Sequence, residues 1–103
     1  EIIILKEHGV KVVFLEFSNL KIELLEPINN KSPISKFLEK NPKGGMHHIC
    51  FEVENITETI NSLKNKKINI LGNGNAKIGA HDKPVIFLHP SDLSGTLVEL
   101  EES

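Results

Sequence analysis

The sequence predicts an α+β fold made of two related modules, of which the first is truncated at its N-terminus. The main observation is an internal repeat: VVFL at residues 12–15 recurs as VIFL at 85–88, and IELLE at 22–26 recurs as VELEE at 98–102. The two matches come in the same order and at nearly the same spacing, which favours a duplicated module over chance likeness between short strands. The second observation is that β-branched segments alternate with two segments of helical periodicity.

The first half of the chain is predicted to form three strands and a helix. The strands are expected at residues 1–5, 10–17 and 20–25. The helix begins at Ser32-Pro33, because a capping residue there precedes a proline at the first helical position. Residues 41–45, which contain Asn, Pro and two Gly, end this helix.

The second half is predicted to contain one strand, one helix and three further strands. Asn55, followed three residues later by Glu58, is a capping box that predicts the start of a helix over residues 56–66. The strands are expected at residues 46–53, 68–71, 85–89 and 96–101, with a loop at 72–79. This half therefore contains a complete strand–helix–three-strand module.

The repeat also predicts the domain organisation. We expect a single domain over residues 1–103, in which 1–27 is the remainder of the first module, 28–45 is a connecting helix with its loops, and 46–103 is the second module. The missing first strand and helix of the first module are expected to precede Glu1.

Composition excludes several classes of function. All twelve basic residues are lysine, whereas nucleic-acid readout depends on the arginine fork, so we expect no nucleic-acid partner. No apolar run approaches the roughly 20 residues that cross a membrane, and the N-terminal EIIIL is too short for the core of a secretion signal, so we expect neither a membrane partner nor secretion. Cys50 is the one cysteine, which excludes a disulfide framework and suits a reducing compartment.

Strand alternation predicts a polar site on one face of the sheet. His48 shares a face of strand 46–53 with Cys50, while His47 is expected on the opposite, apolar face, packed under helix 56–66. Glu23 and Glu99 are equivalent in the repeat, and each lies between apolar neighbours, where glutamate is disfavoured. Two carboxylates and a histidine suit a divalent cation, although solvent-exposed glutamates are the alternative interpretation.

Three segments resemble the methylmalonyl-CoA epimerase family: GGMHHICFEVENI at residues 44–56, IGAHDKPVIFLHP at 78–90 and LVELEE at 97–102. Residues 8–27 and 32–41 fit the same family, so the resemblance covers essentially the whole chain. More broadly, the chain is similar to the vicinal-oxygen-chelate superfamily. That resemblance implies paired βαβββ modules that form a half-open barrel around a metal site.

Carried over from the family, the metal ligands are His48, Glu99 and Glu23, and Glu99 is also the catalytic base. The remaining histidine ligand would belong to the missing first strand. The resemblance implies Co²⁺ first, with Mn²⁺, Mg²⁺, Zn²⁺ and Ni²⁺ as other ions. Some family members have a second glutamate where this chain has Val12, so the second proton carrier is left open. Glycine is common in the family at the positions of Asp82 and Ser94.

The activity implied is epimerisation of (R)- and (S)-methylmalonyl-CoA, an acyl-CoA thioester, by removal of the α-proton through a metal-stabilised enolate. Alternatives on the same scaffold are a glyoxalase-type lyase and a metal-free module that binds a small ligand. His81 and Lys83 either contact the substrate carboxylate or CoA phosphates or are solvated loop residues. The resemblance further implies a homodimer at full length, in the cytoplasm of a bacterium or the mitochondrial matrix of a eukaryote. The 103-residue fragment by itself is expected to lack activity.

Overall fold

The computed structural model describes residues 1–103, and the chain divides into two compact units, Glu1–Met46 and His47–Ser103. Each unit contains one β-sheet and one α-helix, so the predicted α+β class is confirmed. Neither helix has the length and apolar character that a membrane crossing requires.

The first unit is an antiparallel three-stranded sheet followed by a helix. Its elements are β1 Ile3–Leu5, β2 Val10–Glu16, β3 Lys21–Pro27 and α1 Pro33–Lys40. The strands lie in the order β1-β2-β3, with β2 pairing to both neighbours. The buried apolar residues of this unit are Val10, Val12 and Ile34. The predicted helix start at Ser32 is confirmed, although its hydroxyl makes no capping hydrogen bond.

The second unit is a mixed four-stranded sheet with one helix on it. Its elements are β4 Ile49–Val53, α2 Ile56–Asn65, β5 Lys77–Ile78, β6 Pro84–Leu88, a 3-10 turn at Pro90–Asp92 and β7 Val98–Glu102. The strand order is β4-β7-β6-β5, in which β4 and β7 run parallel and the other pairs antiparallel. This order places β7 in the middle of the sheet, between β4 and β6.

Helix α2 covers one face of this sheet and creates the core of the second unit. Ile56 on the helix packs with Ile86 and Leu88 on β6, and all three are buried. The partly buried residues around them are Val53, Ile60, Leu63, Ile68, Ile70, Ala76, Leu93, Val98 and Leu100. The capping box predicted at Asn55 is present in part, because the Asn55 side chain accepts a hydrogen bond from the Glu58 backbone N–H. The opposite face of the sheet carries Glu99 and Glu101 beside Val85 and Phe87.

Cross-strand pairing repeats between the two units. Phe14 lies opposite Glu23 in the β2–β3 pair, and Phe87 lies opposite Glu99 in the β6–β7 pair. The sequence repeat therefore corresponds to the same hairpin with the same register. Because side chains opposite each other share a face, each glutamate stands beside a phenylalanine.

The largest differences from the predicted strands occur at three places, and the other strand ends shift by one or two residues. Residues 46–48 precede β4, because the ladder with β7 begins only at Ile49, whose N–H donates to the Leu97 carbonyl. Residues 68–71 make a single bridge, Ile70 with Leu88, and do not form a strand. Strand β5, at Lys77–Ile78, lies instead within the predicted loop.

The expected packing of β4 under α2 holds only at its end. Val53 joins the core around α2, whereas Ile49 and Phe51 on the same face are exposed. The reason is that β4 is an edge strand and α2 lies over β6 and β7.

Candidate active site

The centre of the candidate site is a direct contact between His48 and Glu99. Glu99 is the second residue of β7, with Cys50 on β4 and Phe87 on β6 as its cross-strand neighbours. His48 lies immediately before β4, and its Nε2 is 2.9 Å from Oε1 of Glu99. The two side chains are only 10% and 13% exposed, respectively. The structure therefore brings together two of the residues that the sequence analysis names as site residues.

Two aromatic rings hold the imidazole of His48. Nδ1 of His47 lies 3.0 Å from Nδ1 of His48, and the two rings meet edge to face. Phe87 also packs against His48 in an edge-to-face arrangement, with ring centroids 5.5 Å apart. Both nitrogens of the His48 ring therefore have a partner, so the ring orientation is fixed from three directions.

The position of His47 corrects the prediction that it lies on the opposite face. That prediction assumed strand alternation from residue 46, but residues 46–48 lie outside β4, where alternation does not hold. His47 instead contacts the ring that it was expected to point away from. No sequence signal beyond the HH pair itself marks this contact.

The His48–Glu99 pair fits a divalent cation. An octahedral cation with ligand bonds of about 2.1 Å holds neighbouring ligand atoms about 3 Å apart, which is close to the observed separation of Nε2 and Oε1. One imidazole nitrogen and carboxylate oxygens form a donor set that suits first-row divalent ions. Because both side chains are largely buried, less water competes with such an ion for the ligand atoms of His48 and Glu99.

Glu23 is the third residue of β3, in the first unit. Its side chain is half-buried and lies on the same face as Phe14 and Val12. Val12 is completely buried. The participation of Glu23 in a metal site with His48 and Glu99 stays a prediction.

A second histidine–carboxylate pair lies on the same face of the second sheet as Glu99. Nδ1 of His81 is 2.9 Å from Oε2 of Glu101, and Glu101 is buried. The solvated-loop interpretation of His81 is therefore wrong. Glu101 was missed in the sequence, and the signal that could have found it is its period-2 relation to Glu99 along β7.

Three smaller points of the sequence analysis concern individual residues. Cys50, which the sequence analysis places on the same face as His48, is exposed. Asp82 and Ser94 adopt φ of 62° and 57°, the left-handed region in which glycine is unstrained. This explains why glycine suits both positions. Lys83 is exposed.

Comparison with known proteins identifies the class. A family model described as the Glyoxalase/Bleomycin resistance protein/Dioxygenase superfamily matches residues 3–87. This match covers most of the chain, so the chain belongs to that superfamily.

Individual relatives narrow the class further. The chain is 61% identical over 99 residues to the mitochondrial methylmalonyl-CoA epimerase of Bos taurus, covering 96% of the chain and 56% of that protein. It is 57% identical over 96 residues to the ethylmalonyl-CoA/methylmalonyl-CoA epimerase of Cereibacter sphaeroides, covering 93% of the chain and 72% of that protein. A methylmalonyl-CoA epimerase solved in complex with methylmalonyl-CoA and NH4⁺ superposes with a TM-score of 0.91 at 28% identity, covering 100% of the chain and 74% of that structure.

Within the superfamily, the chain is a member of the methylmalonyl-CoA epimerase family. It spans little more than half the length of the bovine relative.

Proposed function

We propose that the protein interconverts the (R) and (S) epimers of methylmalonyl-CoA by removing and returning the α-proton. The observation that carries this proposal is the largely buried contact between His48 and Glu99, on a sheet face that also presents a second carboxylate. The named activities of the relatives, together with the complex of one of them with methylmalonyl-CoA, support the choice of substrate.

Glu99 is proposed as the base. Its Oε1 faces His48, and its Oε2 lies beside the turn at Gly79, so one carboxylate oxygen is held while the other faces the turn. A positioned carboxylate of this kind takes the α-proton directly when the substrate lies within hydrogen-bond reach. His48 fixes the direction in which the carboxylate points.

His48, Glu99 and Glu23 are proposed as the residues that hold a divalent cation, with Co²⁺ as the first choice. When bound, such a cation stabilises the negative charge that develops on the thioester oxygen as the α-proton leaves. Nε2 of His48 must be unprotonated to bind a cation, so its ring proton then lies on Nδ1 and is donated to His47. Mn²⁺, Mg²⁺, Zn²⁺ and Ni²⁺ have compatible ligand chemistry.

The second proton carrier is proposed to be a group other than residue 12. A symmetric mechanism needs a second acid on the other face of the substrate, but Val12 is apolar and completely buried. The return of the proton therefore falls to water or to another acidic group. We also propose that the full-length protein forms a homodimer. Its proposed location is the cytoplasm in a bacterium or the mitochondrial matrix in a eukaryote.

The proposal is tested by solvent exchange at the α-carbon. The complete protein is loaded with Co²⁺ and incubated with methylmalonyl-CoA in D₂O, and proton NMR follows loss of the α-hydrogen signal. Glu99→Gln is expected to slow the exchange by about a hundredfold or more, because it removes the base. Glu26→Gln is the matched control, since Glu26 is an exposed glutamate on β3, and it should exchange at the normal rate.

Each outcome decides one part of the proposal. Exchange that survives in Glu99→Gln would keep the epimerase and place the base elsewhere. A folded, metal-loaded protein that shows no exchange would overturn the epimerase proposal, and hemithioacetal substrates of a glyoxalase-type lyase would be tested next.

A further inference from the structure

A hydrogen bond between His81 and Glu101 joins a loop to the central strand β7. Nδ1 of His81 lies 3.2 Å from Oε1 and 2.9 Å from Oε2 of Glu101. A carboxylate only accepts hydrogen bonds, so Nδ1 carries the hydrogen and donates it to both oxygens. The side chains are 29% and 12% exposed, so the contact is largely withdrawn from water.

The loop held by this contact is the tight turn between β5 and β6. Within the turn, Gly79 N–H donates to the Lys83 carbonyl, and Asp82 N–H donates to the Gly79 carbonyl. The turn also closes through the left-handed backbone of Asp82. His81 is the residue of this turn that reaches β7 by a hydrogen bond.

The turn lies against the proposed base. A Cβ placed on Gly79 would come within 2.8 Å of a methyl carbon of Val85 and 3.7 Å of Oε2 of Glu99. The main chain at Gly79 is therefore packed tightly onto β6 and sits beside the carboxylate oxygen that His48 does not contact. Glu99 and Glu101 are two residues apart on β7, so both carboxylates lie on the same face of the sheet.

We propose that His81 is a positioning residue: its hydrogen bond to Glu101 fixes the turn at residues 79–83 against Glu99 and thereby sets where the acyl group of the substrate lies relative to the base. The substrate part of this inference rests on the proposed function. The part that concerns the turn rests only on the observed hydrogen bonds and on the close packing of Gly79 against Val85. Positioning of this kind matters because a small displacement of the reacting groups lowers the rate steeply.

The test compares three substitutions with a matched control in the complete, Co²⁺-loaded protein. His81→Phe and Glu101→Leu remove the hydrogen bond, because Phe has no donor and Leu has no acceptor, whereas Glu101→Gln keeps an oxygen that accepts from Nδ1. His89→Phe is the control, because His89 is an exposed histidine on a different turn, where its Nδ1 also takes part in one hydrogen bond. The kinetic constants for α-hydrogen exchange and the dissociation constant for Co²⁺ are measured for each protein.

We expect His81→Phe to lower kcat/KM about tenfold while Co²⁺ affinity stays unchanged, because the ligands are intact. Glu101→Gln should retain most of the activity. The double variant His81→Phe/Glu101→Leu should be no slower than the worse single variant, since both substitutions remove the same contact. Normal kcat/KM in His81→Phe would overturn the proposal. A loss matched by equal loss of Co²⁺ binding in His81→Phe would overturn it as well.

A second measurement keeps the turn testable if the epimerase proposal fails. Amide hydrogen exchange at Gly79 and Asp82 reports how firmly the turn is held, whatever the substrate. His81→Phe should speed exchange at both amides and leave the core amides of β6 protected. Equal protection in the variant and the parent would overturn the role of His81 in fixing the turn, independently of any activity.

Discussion

At the scale of single residues, the hydrogen bond between His47 and His48 has a direction that depends on what Nε2 of His48 binds. With Nε2–H donating to Glu99, the neutral His48 ring accepts at Nδ1, so His47 is the donor. With a cation at Nε2, the proton lies on Nδ1 of His48, so His47 becomes the acceptor. His47 can serve in both cases because an imidazole nitrogen either donates or accepts.

Replacement of His47 therefore tests whether a residue that contacts the proposed ligand His48 affects cation binding. His47→Phe keeps an aromatic ring beside His48 but removes the acceptor, so Co²⁺ binding should weaken about tenfold or more. His47→Asn restores an acceptor oxygen and should recover most of the affinity. Isothermal titration calorimetry of the complete protein with Co²⁺ measures both. If His47→Phe binds Co²⁺ as the parent does, His47 contributes packing and no orientation.

The sequence could predict His48 and Glu99 but not the contacts around them. Period-2 alternation and the repeat placed Glu99 on a polar sheet face, because β7 is a regular strand throughout. His47 and His81 lie outside regular strands, where side-chain direction follows no period. Their partners therefore depend on tertiary contacts that no local pattern encodes.

At the scale of elements, the start of α2 is held by a carboxylate from β7. Oε2 of Glu102 accepts a hydrogen bond from the Ile56 backbone N–H at 3.0 Å. The Asn55 side chain accepts from Glu58, so two of the free N–H groups of the first turn have partners. A negative charge at this end also suits the helix dipole.

Removal of this carboxylate should destabilise the second unit. We expect Glu102→Ala to lower the free energy of unfolding by about 1 kcal/mol, because the Ile56 N–H loses its acceptor at a helix N-terminus. Urea denaturation followed by circular dichroism measures the change. Glu26→Ala is the matched control, because Glu26 holds the equivalent place in the repeat but its side chain is 72% exposed, and it should change stability by less than about 0.5 kcal/mol. Equal effects of the two substitutions would show that the contact to Ile56 adds nothing.

Helices were easier to predict than strand ends for a physical reason. Asn55 with Glu58, and Ser32 with Pro33, mark helix starts through local chemistry that the sequence displays directly. A strand extends only as far as its partner does, so β4 begins where β7 provides a ladder partner. The same dependence explains β5, which exists because two residues pair with β6.

At the scale of the whole molecule, the two copies of the repeat differ in what covers their apolar face. Ile86 and Leu88 of the second copy are buried beneath α2. In the first copy the matching Leu15 is 43% exposed, and its neighbours Ile22 and Leu24 on β3 are 44% and 51% exposed. The first sheet therefore presents a contiguous apolar face. Part of this face belongs to β3, which is also an edge strand.

This face should cause the 103-residue chain to self-associate. Contiguous apolar patches and exposed strand edges both promote association, and β3 combines the two. The double substitution Ile22→Lys/Leu24→Lys should shift the chain toward monomer, because it charges both the face and the edge. Light scattering coupled to size-exclusion chromatography over a range of concentrations measures the mass. The double substitution Ile28→Lys/Met46→Lys adds the same charge at two other exposed apolar positions. A parent chain that stays monomeric, or equal effects of the two double substitutions, would contradict a specific role for the β3 face.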